Sequence, residues 1–437
     1  MQLTRAVGAQ LRYLAIEALV LFGLMLFFFW KARSVQGNGL EFSSNIGTNP
    51  SPQPLSQSTD TYDEDTWDFM PERDANNHGL SEKHCRLAFP KLFIEVDKSA
   101  GLAKQHPITL RDLDDIPIEN GIVRGIIYHG ELYVVEFGPM PYTFTRGKAT
   151  LQALNRALIS FTGRENLPDI EFVFTTHDFS TVEKPIWSYA KRDEENAVWL
   201  MPDFGYWSWP EVKIGPYQEI RRRIMAIDDG SDPSPGLLFQ DKKKQLFWRG
   251  TVATNPELRG QLLQATEGKS WADTRALDWG NEEDIRSNLL SMEDHCRYMF
   301  LAHVEGHSFS GAGKYLLNCR SVFVSHKLVW REAHHHIFIA SGPDANYIEV
   351  ERDFSDLNDK IEYFISNPEA AEQIANNTVA MFRDRYLTPA AESCYWRHLI
   401  RQYASGCAFE PLLYSTQADG KKQPRGVPFE SWILTSP

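Results

Sequence analysis

Apolar and polar positions divide the chain into three stretches. Nearly every position from Tyr13 to Trp30 is apolar, and Glu17 is the single charged residue among them. From 31 to 77 apolar positions are sparse, and Ser, Thr, Pro, Asn, Gln and acidic residues dominate. Beyond this stretch, short apolar runs alternate with segments of helical periodicity. The pattern predicts an apolar helix, a linker and a large folded part.

The first stretch has the length of a transmembrane helix and basic residues on both sides. We predict a signal-anchor at 13–30, which follows a short cytoplasmic tail at 1–12 and precedes a disordered stem at 31–77. A cleaved signal peptide is the alternative, but the run is bulky and Ala32-Arg33-Ser34 is a poor cleavage site. The flanking charges nearly balance, so they do not set the orientation.

One glycosylation sequon, Asn376-Asn377-Thr378, favours a luminal folded part. We therefore expect a single-pass type II protein in the membrane of the Golgi or the endoplasmic reticulum. The final residues SWILTSP contain no retention tetrapeptide such as KDEL, and together with the predicted anchor this favours the Golgi.

The folded part begins with strand patterns. The run Gly121–Phe137 predicts a hairpin that turns at His129-Gly130. Leu151, Leu154, Leu158 and Phe161 then lie on one helical face, and 169–174 is a short strand of buried type. In the second half the predicted strands are Leu246–Trp248, Tyr298–Val304, Ser321–Ser325 and Tyr347–Val350.

The alternation of strands and helices in two successive blocks predicts an α/β protein with two doubly wound lobes, at 78–235 and 236–437. In such folds the ligand lies in the crevice at the carboxyl ends of the strands. The second lobe is expected to close with helices at the C-terminus.

Composition and charge narrow the class of protein to which this chain can belong. The chain has 437 residues, 42% apolar and 12% aromatic, which is enough for one large or two medium cores. A formal net charge of −13 without a dominant basic stripe argues against nucleic acid as a partner. The five cysteines show no C-x-x-C spacing, which predicts one or two disulfides with at least one unpaired thiol.

The densest candidate chemistry lies at Glu305–His326, where a Gly/Ser-rich turn leads into a short helix and an apolar strand. Backbone N–H groups near Gly306 and Gly311 can face an anion, the helix start adds a positive dipole end, and Lys314 adds a full charge. The segment predicts a site for a phosphate-bearing ligand. The alternative is an ordinary glycine-rich turn with an exposed lysine.

Asp178 follows a predicted strand of the first lobe, in the sequence His177-Asp178. A carboxylate at the end of a strand can act as a general base. Asp178 can also be a helix N-cap or a turn residue, since aspartate is favoured at both positions.

Arg249, at the end of a strand in the second lobe, can clamp a diphosphate with two parallel hydrogen bonds, while Gly250 lets the backbone approach. A surface ion pair is the alternative for Arg249. The aromatic segment 201–210 contains Trp207 and Trp209, which suit stacking against sugar rings of an acceptor. The same segment can also cap the core.

Metal binding is not expected. The consecutive histidines His334–His336 point in different directions on a helix, which favours a solvated helix face. The acidic pair Asp112 and Asp114 does not follow a buried strand, and a second acidic group, 63–65, lies in the predicted stem. We expect no metal and no other cofactor.

Several motifs occur in order along the folded part: LPDIEFVF at 167–174, MPDFGYWSWPE at 201–211, FWRGT at 247–251, EGHSFSG at 305–311, KYLLNCRSV at 314–322, DFSDL at 353–357 and RDRYLTPAAESCYWRHLI at 383–400. Together they resemble the capsule-associated and Rumi-type glycosyltransferases of family 90. The resemblance implies two Rossmann-like lobes of the GT-B-like type and a metal-independent, inverting transferase. The lobe at 78–235 would bind the acceptor and the lobe at 236–437 a nucleotide-diphosphate sugar.

On this resemblance Asp178 matches the general base and Arg249 the diphosphate-binding arginine, while Ser310, Gly311 and Lys314 fall in the donor loop. One difference from the family concerns a residue expected to contact the diphosphate. Family members commonly carry arginine two positions before the loop lysine, where this chain has Ala312. Either the remaining cations suffice, or Arg320 compensates, or activity is weak.

The expected function is a membrane-anchored glycosyltransferase that moves a xylose- or glucose-class sugar from a nucleotide-diphosphate donor to a hydroxyl of a glycan or glycoprotein. Its partners would be the nucleotide sugar, the acceptor and the membrane. One alternative is a catalytically weak or inactive glycan-binding or scaffold protein of the same fold. Another is a protein O-glucosyltransferase, which differs only in its acceptor.

Overall fold

The computed structural model describes residues 67–139, 144–229 and 236–435. The predicted cytoplasmic tail and transmembrane segment, and the predicted stem up to residue 66, lie outside the described residues. None of the helices within the described ranges is long and apolar enough to cross a membrane.

The last residues of the predicted stem are folded. Helix α1 (Pro71–Asp74) buries the side chain of Asp74, which accepts a hydrogen bond of 2.9 Å from the Met70 backbone N–H. The ring of Trp67 stacks on that of His84 at a centroid distance of 4.2 Å. Residues 67–77 of the predicted stem therefore belong to the folded part.

The other helices are α2 (Glu82–Ala88), α3 (Ile94–Gln105), α4 (Leu110–Asp114), α5 (Phe144–Ile159), α6 (Tyr217–Asp229), α7 (Pro256–Thr266), α8 (Glu282–Asn288), α9 (Met292–His295), α10 (Gly313–Leu316), α11 (Leu357–Ser366), α12 (Pro368–Thr378), α13 (Pro389–Gly406) and α14 (Phe429–Thr435). Side-chain caps begin several of them. Thr388, for example, accepts a hydrogen bond from the Ala391 N–H at the start of α13, where Pro389 occupies the first turn.

The first sheet contains β1 (Ile122–Tyr128), β2 (Glu131–Phe137), β3 (Ile170–Thr175), β4 (Trp187–Ser188), β5 (Trp199–Leu200) and β13 (Val427–Pro428), in the order β13-β2-β1-β3-β4-β5. The predicted hairpin is confirmed, and its turn residues His129 and Gly130 have φ values of 50° and 75°. A two-residue turn makes β1 and β2 antiparallel, and β1 also pairs antiparallel with β3. Only β3, β4 and β5 run parallel, so the doubly wound order predicted for this lobe is wrong for its hairpin half.

The second sheet contains β6 (Lys243–Gly250), β7 (Ala272–Ala276), β8 (Tyr298–His303), β9 (Val322–His326) and β10 (Ile348–Val350). All neighbours run parallel, in the order β10-β9-β8-β6-β7. This is a doubly wound order, in which the chain builds the sheet outward in opposite directions from the neighbouring strands β6 and β8. The mixed α/β class with parallel strands is confirmed. Strands β11 (Tyr414–Thr416) and β12 (Lys422–Pro424) form a separate pair.

Helix α13 returns to the first sheet. It packs against α3 and α5, and its Trp396 and Arg397 are buried. One closing helix of the predicted C-terminal lobe therefore lies on helices of the N-terminal one. The boundary predicted after residue 235 follows directly on 230–235, which lie outside the described residues, and it stays a prediction.

A buried charge cluster joins loops of the two sheets. The Glu95 carboxylate lies 3.3 Å from Lys191 Nζ, 2.7 Å from Arg331 Nη1 and 2.7 Å from His336 Nε2. Burial opposes its ionisation, but His336, Lys191 and Arg331 hold the pKa of Glu95 well below its usual value. Lys191 and Arg331 also exchange backbone hydrogen bonds.

The expectation of a solvated face at His334–His336 is therefore wrong. The segment 335–337 is a 3₁₀ turn, His334 is buried beside Phe338 and Phe382, and His336 contacts Glu95. Phe382 and Glu95, which are distant in sequence, are among the partners that contact this segment.

Two disulfides and one unpaired thiol confirm the prediction for the cysteines. Cys85 and Cys394 join α2 to α13 across a sequence separation of 309, and Cys296 and Cys319 join two loops of the second sheet. Cys407 is unpaired and half-buried.

We expect Cys85→Ser/Cys394→Ser to lose about 2–5 kcal/mol of unfolding free energy, because the long cross-link restricts the unfolded chain. Guanidinium unfolding of the full-length protein measures this loss. Cys407→Ser is the control and should change the free energy by less than about 1 kcal/mol. Equal losses in both proteins would contradict the prediction.

Stability should also fall in mild acid. Burial lowers the pKa of His303 and of His334 from 6.5 to about 3. Below pH 6.5 the unfolded chain binds protons that the folded protein does not, so these groups reduce stability progressively as the pH falls from 6.5 towards 3.

His334→Phe removes one of these groups and keeps a ring beside Phe338. We expect the melting temperature of this variant to fall less than that of the unmodified protein between about pH 7.5 and about pH 5. An identical pH dependence in the two proteins would argue against a neutral, buried His334.

Candidate active site

A cavity of about 650 Å³ lies at the carboxyl ends of β6 and β8, where the loops after these strands meet loops after β3 and β5. This is the crevice position expected for a doubly wound sheet. Six of the eight predicted site residues line it: Asp178, Trp209, Arg249, Gly250, Ser310 and Gly311. The other two, Trp207 and Lys314, are not part of its lining.

Asp178 lies in the loop after β3, with its side chain one-third exposed. Its Oδ1 accepts a hydrogen bond of 2.8 Å from Arg146 Nη1, and its backbone oxygen accepts one of 2.8 Å from Ser308 Oγ. No helix follows Asp178 before β4, which removes the alternative of a helix cap. The carboxylate is oriented by Arg146 and remains accessible from the cavity.

Arg146 was missed by the sequence analysis. It lies in the first turn of α5, and its guanidinium lies 4.6 Å from the Phe204 ring and 5.9 Å from the Trp209 ring. An arginine in an amphipathic helix gives no local signal for such a site, because its partners Asp178 and Trp209 come from other loops.

The glycine-rich loop packs closely on the aromatic segment. A β-carbon at Gly311 would lie 2.7 Å from the Trp209 ring, so this position requires glycine. The loop then turns into the four-residue helix α10, where the Gly313 N–H donates to the Ser310 backbone oxygen. The short helix after the loop is confirmed.

Lys314 is buried, with 1% of its side chain exposed, and its Nζ lies 2.5 Å from Asp203 Oδ1. The rings of Phe204, Tyr206 and Tyr315 surround the ammonium group. In the described structure Lys314 therefore neutralises Asp203 beneath the loop and does not face the cavity. Its predicted role in donor binding stays a prediction.

Arg249 is also paired. Its Nη2 lies 2.6 Å from Asp273 Oδ1 on the neighbouring strand, and its Nε and Nη1 donate to backbone oxygens, including that of Asn288. Burial opposes ionisation of Asp273, but bonds from Tyr298 and Arg249 lower its pKa. The alternative of an ion pair for Arg249 is thus what the structure contains, although the pair is partly buried and borders the cavity.

The two tryptophans of the aromatic segment have different surroundings. Trp209 lines the cavity, whereas Trp207 packs against the core with the Arg156 guanidinium 5.0 Å from its ring. The predicted acceptor contact at Trp207 therefore has no support from its position in the described structure.

Arg320 lies away from the cavity, where it pairs with Glu372 at 2.9 Å and donates to Asn376 Oδ1. Asn376 belongs to the sequon, which lies in α12, and the sequon hydroxyl of Thr378 is buried. Arg320 therefore does not replace the guanidinium that is absent at Ala312.

His295 was also missed. It lines the cavity with 5% exposure, and neither ring nitrogen has a hydrogen-bond partner among the described residues. Burial, with a smaller contribution from Arg249, lowers its pKa to about 4, so the ring is neutral. Its two nitrogens, one a donor and one an acceptor, are themselves buried.

The acidic pair Asp112 and Asp114 has structural partners. Asp112 forms a capping box with Thr109 at the start of α4, and Asp114 pairs with Arg124 at 2.7 Å. Within the described ranges, no group of three or more His, Cys, Asp or Glu is arranged to hold a metal ion.

Breaking the Lys314–Asp203 pair should destabilise the fold. Lys314→Met leaves Asp203 buried without its counter-charge, and we expect a loss of about 3–5 kcal/mol of unfolding free energy. Lys314→Met/Asp203→Asn should recover at least half of it, because no charge is then stranded. Chemical denaturation of both variants measures the effect, and equal stability of the two would contradict the pairing.

The chain matches the model of Glycosyl transferase family 90 over residues 90–418. It is 24% identical over 256 residues to protein O-glucosyltransferase 1 of Rattus norvegicus, covering 54% of this chain and 63% of the relative. It is 24% identical over 268 residues to the O-glucosyltransferase rumi homolog of Aedes aegypti, covering 56% of this chain and 63% of the relative. Protein O-glucosyltransferase 3 of Homo sapiens is 25% identical over 320 residues, covering 68% of this chain and 59% of the relative. The chain thus spans less than two thirds of the length of each of these relatives.

Proposed function

Because this chain belongs to glycosyl transferase family 90, we propose that it moves a sugar of the xylose or glucose class from a nucleotide-diphosphate donor to a hydroxyl of a glycan or glycoprotein. The observation that carries the proposal is the position of Asp178. Its carboxylate borders a cavity that also contains the glycine-rich loop and lies at the carboxyl ends of parallel strands.

The reaction is a single displacement. Asp178 takes the proton of the acceptor hydroxyl while the acceptor oxygen forms a bond to the anomeric carbon. The bond from that carbon to the diphosphate oxygen breaks, and its electron pair leaves with the nucleoside diphosphate. One displacement inverts the anomeric centre. Arg146 orients the base through its 2.8 Å hydrogen bond.

The names of the relatives support a protein hydroxyl as acceptor and glucose as donor sugar. The two disulfides support an oxidising compartment, such as the lumen of the Golgi or the endoplasmic reticulum. The apolar segment at 13–30 would anchor the protein there as a single-pass type II membrane protein.

The test is a transfer assay. The full-length protein is incubated with UDP- and GDP-sugars, with EDTA and with glycan or glycoprotein acceptors, and the released nucleoside diphosphate is recorded. We expect acceptor-stimulated release from one donor, reduced about 100-fold or more in Asp178→Asn because the general base is lost. Asp114→Asn, which removes a charge from an ion pair outside the cavity, is the control and should retain activity.

A catalytically weak or inactive glycan-binding protein of the same fold is the second candidate. The observation that favours it is that Arg249 and Lys314 are both paired with carboxylates while position 312 holds alanine. If the protein binds a nucleoside diphosphate but releases none from any sugar donor, this candidate is supported and the proposed transferase activity is rejected.

A further inference from the structure

The charges in the cavity single out one arginine. Arg146 pairs with Asp178, Arg249 pairs with Asp273, and Arg223 pairs with glutamates at the rim. Arg259, which also lines the cavity, has no carboxylate within ion-pair distance among the described residues. Its positive charge is therefore the least compensated of these four guanidinium groups.

Arg259 lies in the first half of α7 and is 7% exposed. Three of its N–H groups donate to backbone oxygens, those of Glu305 at 3.2 Å, Thr251 at 2.6 Å and Val304 at 3.1 Å. A guanidinium has five N–H donors, so two remain for a ligand. Burial lowers its pKa to about 10, which leaves it protonated at neutral pH.

The surroundings of Arg259 leave room for a ligand. A β-carbon at Gly306 would lie 3.1 Å from Arg259 Nη2, so glycine keeps the loop clear of the guanidinium. Thr254 and Ala312 line the same cavity. Burial lowers the pKa of Arg259, and the negative charge of Asp178 opposes this lowering. A buried cation that lacks a carboxylate partner and borders a cavity is stabilised by an anionic ligand.

We propose that Arg259 binds the diphosphate of the donor and stabilises the charge that the leaving group gains. This inference rests on the proposed function and assigns to Arg259 the contact that alanine at 312 cannot make. When the bond from the anomeric carbon to the diphosphate oxygen breaks, the electron pair stays on that oxygen, and the two remaining N–H donors of Arg259 contact the anion.

Calorimetric titration of the full-length protein with uridine, UMP and UDP, and with guanosine and GDP, separates the base from the phosphates. We expect the diphosphate to bind at least about tenfold more tightly than its nucleoside, and Arg259→Met to lower this ratio at least about tenfold. Arg259→Lys should retain part of the ratio, because lysine keeps the charge without the planar fork. Ala312→Arg in the Arg259→Met protein should restore it.

Arg397→Met is the matched control. Arg397 is also buried, donates to the backbone oxygens of His78 and Leu80, has a pKa lowered to about 10 by burial, and lies outside the cavity lining. It should lower the melting temperature and leave the ratio unchanged. If Arg259→Met does not fold, the ratio of diphosphate to nucleoside affinity is measured in Arg259→Lys instead. A ratio equal to that of the unmodified protein would then overturn the proposal.

Two results separate the inference from the proposed function. An unchanged ratio in Arg259→Met, with a lowered melting temperature, would show that Arg259 only supports the loop backbone. Failure of the unmodified protein to bind any nucleoside diphosphate would reject the proposed function itself, and the inference with it.

Discussion

The arrangement of the site depends on the buried ion pair between Lys314 and Asp203. The two residues are 111 positions apart, and their contact fixes the glycine-rich loop against the aromatic segment. Both charges are almost completely removed from water, so each requires the other. Since the loop is held in this way, Gly311 packs on Trp209 and the loop borders the cavity with Ser310.

A second buried carboxylate, that of Glu95, is also compensated by neighbouring cations. Glu95 is surrounded by Lys191, Arg331 and His336, and it ties a helix of the first half of the chain to a loop of the second. Arg259 is a buried cation whose hydrogen-bond partners are backbone carbonyls, and because it also lines the cavity, an anion bound there can neutralise its charge.

The lysine and the strand-end arginine that the sequence pattern places at the phosphate are engaged with Asp203 and Asp273. Asp178 and His295, in contrast, are among the residues that line the cavity. Family motifs therefore predict residues that line one cavity, but they do not show which of the cations there is already paired with a carboxylate.

The sequence by itself determined the hairpin at 121–137, the parallel second sheet and the position of Asp178 at a strand end, because periodicity and turn residues are local signals. Six of the eight residues that the sequence predicted for the site line one cavity. Only the tertiary structure decided that His336 meets Glu95, 241 positions away, that α13 packs on the first lobe, and that Lys314 is buried. Such contacts depend on pairing between distant segments, whose energy is not recorded in any local pattern.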